Sequence, residues 1–294
     1  MSATDDLART PEVDTGTRRE PLADAFLALF RSGPFLIGLC IVLFWIVCAL
    51  FGEHFVPYDP LADDIINALV PPSSEHWFGT DQLGRDVFSR VLTGSRDILT
   101  VAPLATLLAT IIGTALGLFV GFFRGIVDDI VSRLLEAFMA MPVVIVALLA
   151  IVALGTSKTT VILVIGLSFA PIIARTVRSA VLAERELDYV AAAQLRHEGA
   201  LYTMFIEILP NILAPILVET TVRLGYAIFA VATLSFLGFG IQPPSPDWGL
   251  SISTNYGLIS GGFWWTVLFD AIAIASVVIG VNLVADEIHG AFND

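Results

Sequence analysis

Charge is scarce in this 294-residue chain: 15% of its residues are Asp, Glu, Lys or Arg, against 56% that are hydrophobic. A soluble domain carries roughly a quarter of its residues as charges and about half as apolar ones. One soluble core cannot hold such an excess, because cores stop growing at about 250–300 residues. An ordinary soluble enzyme is excluded, and lipid is the solvent that remains. Lysine is nearly absent, the one example being Lys158 in Gly155-Thr156-Ser157-Lys158-Thr159. A Walker A loop needs glycine before its lysine. Ser157 stands there, so the chain does not bind ATP by that route. The two cysteines, Cys40 and Cys48, are eight apart in one apolar run. They cannot meet on one helix and read as small buried apolar residues. The four histidines, at 54, 76, 197 and 289, form no His-x-x-x-His spacing, and neither Cys-x-x-Cys nor Gly-x-Ser-x-Gly occurs. Catalytic, metal and cofactor candidates are therefore none. Basic residues are outnumbered, 15 against 28 acids for a net charge of −13, which excludes a nucleic-acid footprint.

What the sequence has instead is long apolar runs. Residues 34–51, 98–123, 137–154, 159–174, 211–240 and 263–285 are free or nearly free of charge and suited to about 30 Å of hydrocarbon. Exposed backbone in lipid must satisfy its own hydrogen bonds, so the expectation is an all-α membrane protein with six transmembrane helices. The first run follows 33 mostly polar residues and precedes no small-residue cleavage site, so it reads as a retained span. Orientation follows from Lys and Arg. Arg9, Arg18, Arg19, Arg31, Arg124, Arg133, Arg175, Arg178, Arg185 and Arg196 fall on one side, and Arg85, Arg90, Arg96 and Lys158 on the other. The richer side is cytoplasmic, and both termini are expected there.

Two extracytoplasmic segments are too long for turns. Glu53 to Arg96 holds Pro57, Pro60, Pro71 and Pro72, then an expected amphipathic helix over 83–92. Gly240 to Gly262 holds Pro243, Pro244, Pro246 and Trp248. Trp77, Trp248, Trp264 and Trp265 suit interfacial anchors and partner contacts equally. On the cytoplasmic side, 181–209 reads as two short helices, 184–194 and 200–208, joined across Arg196-His197-Glu198-Gly199 and halted by Pro210. Spanning alone gives such a polar hairpin no purpose. Within the spans, Glu219 and Arg223 are four apart and share a helical face, where they can pair, and Asp270 stands in the last run. Charges there are costly unless paired or hydrated, and they suit either a pathway or an internal staple.

Several stretches resemble one family, the C-type inner-membrane permease of dipeptide, oligopeptide and nickel ABC importers. The first is Val56-Pro57-Tyr58-Asp59-Pro60 followed by His76-Trp77-Phe78-Gly79-Thr80-Asp81-Gln82-Leu83-Gly84-Arg85-Asp86 and Val87-Phe88-Ser89-Arg90. The second is Leu234-Ser235-Phe236-Leu237-Gly238-Phe239-Gly240-Ile241-Gln242-Pro243-Pro244, with Asp247-Trp248-Gly249 after it. The third is the cytoplasmic hairpin, similar to a coupling loop written Glu-Ala-Ala-x-x-x-Gly with Ile-x-Leu-Pro downstream. Ala192, Ala193, Leu209 and Pro210 fit it, whereas Ala191, His197 and Glu207 replace its Glu, Gly and Ile. Gly199, two residues on from His197, is expected to take over as the helix breaker.

The resemblance implies a type I ABC importer permease fold. It divides the chain into a tail (1–33), a first span with its loop (34–96), an ABC transmembrane type-1 domain (97–286) with coupling hairpin 184–210, and a short tail (287–294). It implies a non-catalytic subunit of the bacterial inner membrane. Its partners would be a second homologous permease, two cytoplasmic ABC ATPases and an extracytoplasmic solute-binding protein. Asp188, Ala192, Ala193, Arg196, His197, Gly199, Leu209 and Pro210 become ATPase-coupling candidates. Trp77, Asp81, Arg85, Asp86 and Trp248 become binding-protein candidates, and Glu219, Arg223 and Asp270 pathway candidates. The expected cargo is dipeptides and oligopeptides, with nickel, glutathione or another peptide-like solute as the alternative. An ion-driven carrier is a rival class, but no inverted repeat is visible and the hairpin has no role in one. A membrane hydrolase is disfavoured by its missing motifs.

Overall fold

The computed structural model describes residues 29–293, with side chains as far as Ala291. The readings made on residues 1–28, among them Arg9, Arg18 and Arg19, lie outside the described residues. Apart from an isolated bridge between Thr80 and Asp86, all regular structure among the described residues is helical.

Helix α1 (Gly33–Phe55) opens where Ser32 accepts from the Phe35 amide at 3.4 Å, with Pro34 in the first turn, where no donor is needed. Helix α2 (Val87–Phe123) has 37 residues, and at 1.5 Å per residue its ~55 Å exceeds the hydrocarbon layer. Its surplus turns absorb the expected separate helix over 83–92. Asp86 caps at the boundary, so Val87 onward continues directly into the second span. Next come α3 (Ile126–Met139) and α4 (Val143–Leu154), bent by 89° relative to each other. The expected third span, 137–154, is therefore not one helix. Pro142 opens α4, and its 12 residues reach only about 18 Å, too short to cross the hydrocarbon layer alone.

Helix α5 (Lys158–Glu184) begins at a Ser157 cap and runs ten residues past the expected boundary. The hairpin follows as α6 (Asp188–Leu195) and a helical stretch, α7, over 200–211. Within α7, Thr203–Ile208 is π-helical directly before Pro210, whose ring excludes regular i−4 bonding. The chain breaks at Ile212 and resumes as α8 (Leu213–Phe236). Then come α9 (Trp248–Asn255) and α10 (Trp265–Asn293). Helix α10 continues through 287–293, the stretch expected as a tail. Five helices among the described residues, α1, α2, α5, α8 and α10, are long and apolar enough to cross a membrane, or six spans if the bent pair counts as one.

The core lies between α2 and α5, the most extensive helix pair. Glycines permit that approach. A Cβ at Gly117 would stand 2.6 Å from the Ala174 carbonyl oxygen and from Val177 Cβ. One at Gly113 would stand 2.7 Å from the Ala170 carbonyl. Such spacing of small residues is how helices pack closely in lipid, where apolar surface alone gives no preference for protein over acyl chain. Around this pair, α1 lies against α10 and α2, and α8 lies against α10, α2 and α5. Cys48 is buried there, whereas Cys40 is exposed on the outer face of α1, contrary to its expected burial.

Candidate functional site

The hairpin end of the bundle is tied to the spans by a chain of polar contacts. Tyr189 on α6 donates to Glu184 Oε2 at 2.7 Å, the last residue of α5. Its hydroxyl also accepts from Asn211 Nδ2 at 3.3 Å, on the return leg just before α8. Asn211 donates to the Glu207 carbonyl at 2.7 Å, and Arg196 at the turn pairs with Glu207 at 2.9 Å. Burial, then the Glu184 carboxylate, pushes the Tyr189 phenol up to about 12, so it stays a donor. Arg124–Glu186 at 2.5 Å and Arg185 on the Phe122 carbonyl fasten α2 to the same joint. Sequence reasoning missed Tyr189, because its partners lie 5 and 22 residues away.

The coupling candidates divide within this frame. Asp188, Ala192, Arg196 and His197 are exposed on the hairpin, beside an exposed apolar set in which Leu195 is 82% accessible. Ala193 is 0% exposed: it packs inside the hairpin and reaches no partner's surface. The break expected at Gly199 lies at His197. His197 itself takes φ +59°, while Gly199 has φ −66° and merely starts α7. Leu209 and Pro210 lie in the return leg, where Pro210 follows the π-helical turn.

Within the spans, the expected pair forms. Arg223 Nε donates to Glu219 Oε1 at 2.6 Å with both side chains 17–18% exposed, and Thr176 on α5 donates to Glu219 Oε2 at 3.3 Å. The Arg223 guanidinium lies over the Tyr226 ring at 4.9 Å. Asp270 is elsewhere, buried towards the opposite end, and its Oδ1 has no partner among the described residues. It does not join the pair.

At the opposite end, the two long segments close on each other. Trp248 Nε1 donates to the Val91 carbonyl at 2.8 Å, and Trp265 Nε1 to the Thr80 carbonyl at 3.1 Å. Phe78 stacks on Phe269 with centroids 3.8 Å apart. Trp248 is 0% exposed and Trp265 is buried, so neither is an interfacial anchor or a surface contact. Asp81 and Asp86 are also buried. Asp81 accepts from the Leu83 and Arg85 amides and from Arg85 Nε at 2.8–3.0 Å. Asp86 caps α2 through Ser89 N at 2.8 Å and pairs with His76 Nδ1 at 2.9 Å. These carboxylates, with the largely buried Arg85, organise the loop and do not face outward. Trp77, 60% exposed, is the one binding-protein candidate that presents itself. Asp247 caps α9 through Leu250 N at 2.9 Å, and burial raises its carboxyl to about 6.

Comparison with known proteins agrees with this architecture. Residues 113–294 match the family of binding-protein-dependent transport system inner membrane components, and residues 20–72 match the N-terminal TM domain of oligopeptide transport permease C. The chain is 36% identical to the dipeptide transport system permease protein DppC of Alkalihalophilus pseudofirmus, over 96% of this chain and 93% of that one. It is 39% identical to the Escherichia coli K12 protein of the same name, over 93% of each chain. It is 33% identical to the di/tripeptide transport system permease protein DppC of Pseudomonas aeruginosa, over 93% of this chain and 92% of that one. A solved chain of the MetNI methionine ABC transporter, in inward-facing conformations, shares the fold with a TM-score of 0.55 at 19% identity, over 67% of this chain and 94% of that one. The chain therefore belongs to the binding-protein-dependent transport system inner membrane components, the permease subunits of ABC importers.

Proposed function

We propose that this chain lines half of the path along which an ATP-driven importer carries dipeptides and oligopeptides inward. It would do so beside a second, homologous permease. Two ATPases would seat on the hairpin over 184–210, and a solute-binding protein would deliver cargo at the opposite end. Both termini would lie in the cytoplasm, since the arginine-rich end bears the hairpin. The observation that carries this reading is likeness to dipeptide permeases across more than nine tenths of both chains. The geometry supports it in two ways. Contacts through Glu184, Tyr189 and Asn211 make the hairpin continuous with α5 and α8, so motion at an ATPase would reach the spans. The Glu219–Arg223 pair on α8 offers a zwitterion one acid and one base, and stays satisfied when no solute is present.

Exchange of the cognate binding protein for one of different specificity separates the peptide cargo from the permease role. Peptide uptake that stops while ATP-driven uptake of the new solute continues would place cargo choice outside this chain. Peptide uptake that persists with no binding protein at all would contradict the reading.

A further inference from the structure

A groove of about 540 Å³ opens between the hairpin-end halves of α5 and α8, lined by Arg175, Thr176, Ser179, Ala180, Ala183 and Pro215. Arg175 is exposed, and its guanidinium has no ion pair or hydrogen bond among the described residues. Three other arginines at this end are engaged: Arg178 with Asp128 at 2.6 Å, Arg124 with Glu186 at 2.5 Å and Arg196 with Glu207 at 2.9 Å. The groove is not isolated from the charges in the span. Thr176, in its wall, donates to Glu219, which in turn holds Arg223. A free guanidinium thus shares the groove's lining with Thr176, whose hydroxyl reaches a neutralised acid–base pair.

We propose that this groove is the last subsite on the inward path, where Arg175 takes the C-terminal carboxylate of the peptide with the Ser179 hydroxyl as a second donor. The inference rests on the importer reading above and names a residue for it. A guanidinium presents paired donors that match a carboxylate's two oxygens, which adds orientation as well as strength to the contact. The peptide's ammonium would then point along the wall towards Glu219, whose carboxylate would be shared between that ammonium and Arg223. The competing occupant is a lipid phosphate. Two features speak against it: the wall of Thr176, Ser179, Ala180, Ala183 and Pro215 offers no long apolar channel for an acyl chain, and the Glu219 carboxylate lies one hydrogen bond away.

The test uses the complete importer, with this chain, its partner permease, the ATPases and the binding protein, in vesicles of phosphatidylethanolamine with and without phosphatidylglycerol. Maximal ATP-driven dipeptide uptake at saturating binding protein is measured for the parent, Arg175→Gln and Arg175→Lys. Loss of a charged hydrogen bond at the subsite lowers the Gln variant about tenfold. The Lys variant, which keeps the charge, retains most of the rate, and both lipids give the same result. Affinity for the binding protein is unchanged, because that contact is at the other end. Parental uptake by the Gln variant overturns the subsite alone. A parental rate that falls to the Gln level when phosphatidylglycerol is omitted shows a lipid anchor and also overturns it. A parent that carries no peptide overturns both this inference and the importer reading.

Discussion

Glu219 and Arg223 cancel each other's charge within α8, and Thr176 satisfies the remaining carboxylate oxygen. Removal of one partner strands the other in a span, at a cost of several kcal/mol, whereas removal of both leaves two neutral amides. Glu219→Gln/Arg223→Gln is accordingly expected to assemble normally yet import zwitterionic peptides poorly. Each single variant should assemble worse, as size-exclusion yield of the complex would show. A double variant that imports at the parental rate would reduce the pair to a staple. Asp247 supplies a pH dependence. Its carboxyl is raised from 3.8 to about 6, so the folded chain keeps the proton after the unfolded chain has released it. Stability is full below about pH 4, falls as pH rises to 6, and stays lower above, by on the order of 3 kcal/mol. Asp247→Asn keeps an acceptor for Leu250 N. Thermal melting in detergent from pH 4.5 to 7 should show a smaller loss for it than for the parent. The spacing of 219 and 223 made their pairing legible in advance. The burial of Asp81, Asp86 and Trp248 was not, because it depends on carbonyl and amide partners that the fold brings from elsewhere, as when Trp248 finds Val91.

Among the elements, the hairpin shows most clearly what pattern reading reaches. Its two helices were legible from polarity and Pro210, but the residue that breaks the chain between them and its inner and outer faces were not. Ala192 is exposed and Ala193 fully buried, so the two alanines are expected to respond differently. Ala192→Glu should leave the subunit stable while abolishing transport-linked ATP hydrolysis, by placing an unpaired charge in the dock. Ala193→Glu should lower the yield of folded subunit first. The turn itself carries strain at His197, whose left-handed backbone costs a non-glycine residue roughly 1–2 kcal/mol. His197→Gly should therefore raise the melting temperature while transport is retained. If transport is lost with the fold intact, the imidazole contacts an ATPase. Tyr189→Phe breaks the tie between α5 and the return leg, and more ATP should be hydrolysed per peptide imported. A parental ratio would show that the legs move together without it. The Gly113 and Gly117 contacts that seat α2 on α5 were written in the sequence as a four-residue spacing, which a search for charge and apolar runs passes over.

At the scale of the whole molecule, hydropathy located the five long spans because lipid imposes the same requirement on each of them. It did not reveal the 89° bend between α3 and α4, since composition reports how apolar a run is and not which way it points. Nor did it reveal that the two long segments at the opposite end close into one cap through Trp248, Trp265 and Phe78. On the function proposed above, a bundle with a polar hairpin at one end and a packed cap at the other would be driven by separate ATPases at the hairpin. Reconstitution tests that most directly. This chain alone, then with a second permease, two ATPases and a binding protein, is placed in vesicles loaded with ATP, and labelled dipeptide uptake is followed. Uptake that appears only in the complete assembly, and stops when ATP or this chain is omitted, is the predicted result. Dipeptide accumulation by the chain alone under an ion gradient would contradict it.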